Sequence, residues 1–389
     1  MRHWAAPLSI ALSVQVVVSA IDMAVPVLGP VITAAAGVPA SHVGYYASAV
    51  AAGAVAFYLL GAGATHRHGA VRTLQIGAAL AALSLLLILT GTWIPILLAG
   101  LLIGIGFGTN TPASAVLLRR HVPAGRLGLA FSMKQAGVPA GAILAGLCLP
   151  AIAQVWGWQA AILAVSALGL GAVLLVQPFR SRYDAPSPAE VRAASGRWID
   201  LRALADPSGH RDIRRLMVFG ALLAVVQGSV NAFLVTYLVT VLGHSLVLAG
   251  SLYSLYQLVG IAGRIASGWL ADRAAGRIRM LAIIGAATGA AAILLSGLTA
   301  ATPLTLLVLC VVFAGLVIGS WNGILLAEVT DAVPEGQVPE ANNVTAIGIF
   351  AGFVLGPALF GQAVTISGFE TAFTLLAACA ALSLLALKR

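Results

Sequence analysis

Long apolar stretches alternate with short polar joints along the whole chain. Twelve of them stand out, at residues 8–35, 43–64, 73–92, 95–118, 127–150, 158–177, 216–242, 246–270, 280–300, 303–327, 341–365 and 370–387. A helix needs ~20 apolar residues to cross the hydrocarbon core of a bilayer. The pattern therefore predicts an all-α integral membrane protein with twelve transmembrane helices. The joints differ in charge. Arg67 and Arg72, then Arg119, Arg120 and Arg126, then the 178–215 segment, then Arg273, Arg277 and Arg279 all fall on one side, and the other side carries no Lys or Arg. The basic side is expected to be cytoplasmic, which places both termini there, as an even number of spans requires.

The 178–215 stretch is the one long polar segment. It holds eight Arg and five Asp+Glu, with Pro186, Pro188 and Pro207. It reads as a solvated cytoplasmic linker between an N-terminal six-helix bundle, 1–177, and a C-terminal one, 216–389. The two bundles look like copies. Gly137, Gly141, Gly157 and Trp158-Gln159-Ala160 match Gly348, Gly352, Gly368 and Phe369-Glu370-Thr371 at a constant offset of 211, and Asn110 matches Asn322 at an offset of 212. Two pseudo-symmetric bundles are a common way to build a midplane transport site between rocking halves.

Composition agrees with the pattern. The chain has 389 residues, 60% hydrophobic and 8% charged, where a soluble domain is nearer ~25% charged. The 43 glycines suit close helix packing in lipid. A net charge of +9 raises nucleic acid as a partner, but the basic residues lie in loops between spans, so the partner they imply is the lipid bilayer. Cys148, Cys310 and Cys379 fall inside apolar stretches and form neither a disulfide framework nor a metal-ligand spacing. The apolar run after Arg2 passes 20 residues with no clear cleavage site, so it is expected to be a retained first helix. With no acid/base pair, nucleophile constellation or metal set visible, neither an enzyme, a cofactor nor a metal is expected.

Three charged residues lie at bilayer depth: Asp22, Lys134 and Arg264. An ionisable side chain there costs roughly 2.5–3.5 kcal/mol on insertion scales, so it persists mainly along an interior path. Arg264 is on one helical face with Tyr253, Gln257 and Gly260. Its planar fork matches a carboxylate; the alternative is a clamp on backbone carbonyls of a neighbouring helix. Lys134 has small helical neighbours, Gly137, Val138, Gly141 and Ala145, so a substrate or another helix can come close; the alternative is snorkelling to the interface. Asp22 shares a face with Gln15 and Gly29, and Pro26 and Pro30 predict a kink beyond it. A carboxyl group at that depth either exchanges protons or sits in a static salt bridge with Lys134 or Arg264. Tyr58, Asn110, Gln227, Asn231, Tyr256 and Asn322 are further polar candidates for substrate contact, or glue between helices.

The run Gly268-Trp269-Leu270-Ala271-Asp272-Arg273-Ala274-Ala275-Gly276-Arg277 resembles the signature loop of the major facilitator superfamily, G-x-L-A-D-R-x-G-R-R, with one extra residue before the second glycine. The matching loop in the first half, Ala62-Gly63-Ala64-Thr65-His66-Arg67-His68-Gly69, has His66 where the family has Asp. The resemblance implies gating roles for Asp272, Arg273 and Arg277. Gly263-Arg264 is similar to the placement of a carboxylate-binding arginine in monocarboxylate-type and oxalate/formate-type carriers. Lys134-Gln135-Ala136-Gly137-Val138-Pro139 resembles a segment of bacterial cyanate-permease-like members. Together these imply a monomeric secondary transporter of the bacterial inner membrane, moving a small, organic anion by alternating access in symport with protons. Its substrate contacts are expected at Arg264, Lys134, Asn110, Tyr253, Tyr256, Gln257, Asn231, Asn322 and Tyr58, with Asp22 as the proton site. The competing reading is proton-coupled multidrug efflux by antiport, which a deep acid suits and two deep cations oppose.

Overall fold

A computed structural model describes residues 4–61, 64–184, 211–334 and 338–387. Ten helices are long and apolar enough to cross a membrane, and two of these are broken at a glycine, which makes twelve spans. We number them α1 (Ala5–Ala35), α2 (Val43–Leu60), α3 (Ala70–Thr90), α4 (Trp93–His121), α5 (127–156), α6 (158–176), α7 (Arg211–Thr240), α8 (Leu246–Leu270), α9 (Arg277–Ser296), α10 (Leu304–Asp331), α11 (338–367) and α12 (369–386). The α5/α6 break is Gly157 at φ 84° and the α11/α12 break is Gly368 at φ 83°. Only glycine takes that left-handed conformation without steric cost. These are the glycines that the sequence repeat pairs at offset 211. Large apolar side chains such as Leu60, Leu174 and Ile366 are exposed, as a lipid-facing surface requires.

The chain folds as two compact units, Met1–Val38 with Ala49–Ile199, and Pro39–Ser48 with Asp200–Arg389. The same close contacts hold each unit together. In the first, α1 and α5 run parallel. A methyl group on Gly141 would lie 2.2 Å from the Val16 carbonyl oxygen. In the second, a methyl on Gly352 would lie 2.3 Å from the Ala221 carbonyl oxygen of α7. Likewise Gly104 of α4 presses on Val50 O of α2, at 1.9 Å for a methyl carbon, and Gly315 of α10 presses on Tyr256 O of α8, at 2.5 Å. Backbones can approach this closely only through glycine, which is how helices associate when lipid is as apolar as they are.

Residues 39–48 belong to the second unit. The Ala358 amide of α11 donates to Ser48 Oγ at 3.1 Å, and Thr365 Oγ1 donates to Ser41 Oγ at 2.8 Å. In the first unit, residues 178–184 depart from the expected solvated linker. Gln177–Phe179 and Arg180–Tyr183 form short helical turns. They deliver the Asp184 carboxylate to the start of α3, where it accepts from Val71 N at 2.7 Å and Arg72 N at 2.8 Å. A carboxylate at a helix N-terminus satisfies free N–H groups and opposes the positive end of the dipole. At its other end the expected linker also departs from the solvated reading, since residues 211–215 already belong to α7; residues 185–210 and the side chain of His66 lie outside the described residues.

Candidate functional site

Three spans of the first unit are interrupted at depth, and each interruption has the same cause. Helix α1 pauses at Met23, α4 at Thr109 and α5 at Ala136. Three residues later stand Pro26, Pro112 and Pro139, each at the third position of the renewed helix. A proline has no N–H, so the carbonyls of residues 22, 108 and 135 lose the amide four residues ahead. The residues beside these breaks are Asp22, Asn110 and Lys134. Proline placement thus puts the deep polar side chains beside carbonyls that have lost their helical amide, while Met23, Thr109 and Ala136 keep right-handed helical backbone angles.

Within this unit the side chains stay apart. Lys134 is 2% exposed, and its Nζ donates to Gln135 Oε1 at 3.1 Å. Full burial removes the snorkelling alternative. Gly137 lies beside Leu12 and Gln15, and Gly141 beside Val16, Ser19 and Ala20. The parallel register of α1 and α5 is therefore about 122 residues, which sets Lys134 level with residue 12. Asp22 is ten residues further along α1, roughly 15 Å at 1.5 Å per residue. The static salt bridge between Asp22 and Lys134 is not formed, for this reason. Among the described residues Asp22, Lys134 and Arg264 enter no ion pair. Asn110 is buried, with Oδ1 accepting from Ser114 Oγ at 3.1 Å and Nδ2 without a partner. Tyr58 of α2 reaches Thr111 Oγ1 at 3.4 Å.

The second unit has one corresponding interruption. Helix α10 opens over Gly319-Ser320-Trp321, between Leu304–Ile318 and Asn322–Asp331. Side chains of α8 satisfy its freed carbonyls. Arg264 Nε donates to Gly319 O at 3.0 Å, and Ser267 Oγ donates to Ser320 O at 3.2 Å. The clamp expected as an alternative for Arg264 is thus present, and it uses one of five N–H groups. The Nη groups have no hydrogen-bond partner among the described residues, and the Arg264 residue keeps exposed surface. Arg264 stands six residues inside Leu270, roughly 9 Å along the helix. On the same helix Gln257 Nε2 donates to Tyr253 OH at 2.8 Å, and Tyr253 and Tyr256 stack with centroids 6.2 Å apart. Asn322 Nδ2 donates to Gln227 Oε1 of α7 at 3.2 Å. The Asn231 Oδ1 and Trp321 Nε1 atoms are buried without hydrogen-bond partners among the described residues.

The signature loop forms a π-helical turn over Ala271–Ala275, where the extra residue before Gly276 is absorbed as a π-bulge absorbs one. Arg277 opens α9, a position the helix dipole disfavours for a cation. Two carboxylates offset this: Asp272 at 3.6 Å from Nε, and Asp331 at the end of α10 in direct contact with Nη1. Arg273 lies over the Trp269 ring at 5.0 Å. Asp331 and Asp184 carry no local sequence signal, because their partners are distant in the chain; Ser267 and Gly319 show their roles only once α10 is seen to open.

This architecture and these loops agree with the comparisons. The family model of the Major Facilitator Superfamily matches residues 10–336, and the chain belongs to that family. Two uncharacterised MFS-type transporters of Mycobacterium tuberculosis are similar to it. One, from strain CDC 1551, is 27% identical over 348 residues, covering 88% of this chain and 75% of that protein. The other, from strain H37Rv, is 26% identical over 347 residues, with the same coverage. Among solved structures, the peptide transporter POT in complex with sulfate superposes with a TM-score of 0.77 at 15% identity, covering 98% of this chain and 93% of that one. The nucleoside transporter NupG superposes with a TM-score of 0.76 at 16% identity, covering 98% of each chain. The protein is a multi-pass membrane transporter and not an enzyme.

Proposed function

We propose that the transported substrate is a small organic anion, moved by alternating access in symport with protons. The observation that carries this is Arg264. Its Nε is tied to Gly319 O, which orients the guanidinium, and its Nη groups have no hydrogen-bond partner among the described residues. A guanidinium held this way presents an end-on fork that pairs two oxygens of one carboxylate. Lys134 adds another cation, this one buried and without a carboxylate partner among the described residues. Asp22, with no ion pair and an interrupted helix beside it, is the proton site. Tyr253, Tyr256, Gln257, Asn231, Asn110, Asn322 and Tyr58 contribute polar or aromatic contacts. Asp272, Arg273 and Arg277 act in gating, and the transporter works as a monomer in a bacterial inner membrane with its basic loops and termini in the cytoplasm. The test is counterflow in proteoliposomes with formate, lactate and benzoate. Arg264→Lys keeps the charge and loses the fork, so anion affinity should fall about 10- to 100-fold, the loss of one or two charge-assisted hydrogen bonds. Wild-type affinity in Arg264→Ala would end the assignment.

A further inference from the structure

From residue 1 to residue 189 the sequence holds two carboxylates, Asp22 at bilayer depth and Asp184. Asp184 is therefore the one acid that the described part of the first unit offers to its basic end. Among the described residues it pairs with none of the loop arginines. Both oxygens go instead to the backbone at the start of α3, Oδ1 to Val71 N and Oδ2 to Arg72 N. Those N–H groups have no partner within their own helix, so the carboxylate supplies what the first turn lacks and opposes its dipole. Gly69 makes room for it: its φ is +88°, and a methyl group there would run into the Asp184 carboxyl group. The segment that carries Asp184 is strapped down along its length. Gln177 Oε1 accepts from Gln75 Nε2 of α3 at 2.8 Å, and the same Nε2 donates to Val173 O of α6 at 2.9 Å. Tyr183 is buried in one cluster with Val14 of α1, Leu74 of α3 and Leu117 of α4. The His121 ring at the end of α4 stands T-shaped to it, with centroids 4.8 Å apart. Residues 177–184 thus tie together the start of α3, the end of α4 and the end of α6.

The second unit holds the same junction differently. Helix α9 begins after Gly276, at φ +75°, as α3 begins after Gly69, and its first residue, Arg277, is held by Asp272 and Asp331. The first-half loop, 62–69, contains no Asp or Glu. Its acid comes from beyond α6. We propose that Asp184 is a positioning residue of the transport cycle, the first unit's counterpart of Asp272 and Asp331, and that through its clip on α3 the 177–184 strap makes α3, α4 and α6 move as one piece. A unit that rocks to alternate access has to carry its helix ends together. A loose α3 end takes up part of the motion, so turnover slows while the substrate site itself is untouched. The inference rests on the reading of Asp272 and Arg277 as gating residues and extends it to the first unit.

Amide hydrogen exchange of the intact protein in detergent reads the clip itself. The Val71 and Arg72 amides should exchange about 10-fold faster, or more, in Asp184→Ala than in wild type, the loss of a charge-assisted bond at each; unchanged exchange would overturn the proposal. The kinetic test is counterflow in proteoliposomes, using whichever of formate, lactate or benzoate wild-type protein moves fastest. Asp184→Ala should lower kcat about 2- to 30-fold, the worth of one helix cap. KM should be unchanged, and the melting temperature in detergent should fall by no more than about 8 °C. Asp184→Asn, which keeps one acceptor oxygen, should lie between wild type and Asp184→Ala. Gly-Ser-Gly inserted between Tyr183 and Asp184 should match Asp184→Ala. The same insertion between Asp184 and Ala185 lengthens the connection without touching the clip and should match wild type. A fall confined to melting temperature, a rise in KM, or equal slowing by the two insertions would overturn the proposal. If Asp184→Ala keeps wild-type kcat while Asp272→Asn is slowed, only the strap falls; if both keep it, the gating reading falls with it.

Discussion

Gly104→Ala tests the helix contacts that hold the first unit. In the structure the new methyl carbon would sit 1.9 Å from Val50 O, 2.8 Å from Val50 C and 3.0 Å from Ala54 N. All three are backbone atoms of α2, so no side chain can turn aside. Ordinary contact begins near 3.4 Å, and α2 and α4 must therefore part by about 1.5 Å. Overpacking of this kind costs about 1–3 kcal/mol. For a unit of this size each kcal/mol lowers the midpoint by about 2–4 °C, which gives a drop of about 2–12 °C. The assay is thermal unfolding of purified protein in detergent. Gly315→Ala makes the corresponding clash in the second unit, with Tyr256 O at 2.5 Å, and should cost less. Gly171→Ala, where a methyl meets nothing within 4 Å, should be neutral. If Gly104→Ala melted together with Gly171→Ala, the close α2/α4 packing would be wrong.

Three further outcomes follow from the polar residues. Lys134→Gln removes a buried positive charge and should raise KM for carboxylates severalfold; an unchanged KM would remove Lys134 from the anion's path. Asp22→Asn should abolish accumulation driven by a pH gradient and spare counterflow between compartments of equal pH, whereas accumulation by the variant under a proton gradient alone would make Asp22 structural. Asp272→Asn and Asp331→Asn should each slow turnover severalfold with KM held within a few-fold, and the double variant should be slower than either because Arg277 then opens α9 without its two ion-pair partners; a large change in KM at normal exchange rate would contradict the gating role.

Much of this architecture can be read in the sequence, for a physical reason. A bilayer forces every spanning backbone to satisfy itself as a helix, so hydropathy alone marks the spans, and the offset between Gly157 and Gly368 marks the repeat that the structure shows as two equivalent breaks. The deep charges stand out because hydrocarbon tolerates few of them. What the sequence conceals is long-range pairing. Nothing near Asp184 announces that it caps α3, 112 residues away, and nothing near Asp331 announces Arg277. The break at Met23 is signalled by Pro26, whereas Pro112 and Pro139 mark the breaks at Thr109 and Ala136 only once the helices are seen. The α10 break has no proline, and a Gly-Ser pair in an otherwise apolar run gives a weaker signal. A salt bridge between Asp22 and Lys134, one of the alternatives open from the sequence, could not be judged there because depth in a helix says nothing about level until the register of α1 against α5 is known.

The measurement that bears most directly on the account is uptake by purified protein in proteoliposomes under an imposed gradient, acid outside, with labelled formate, lactate and benzoate set beside a lipophilic cationic dye. We expect accumulation of at least one carboxylate that collapses when a protonophore removes the pH gradient, is lost in Arg264→Ala, and is not matched by the dye. Gradient-driven movement of the dye with no carboxylate transported would contradict the account and identify the protein as a cation-extruding antiporter.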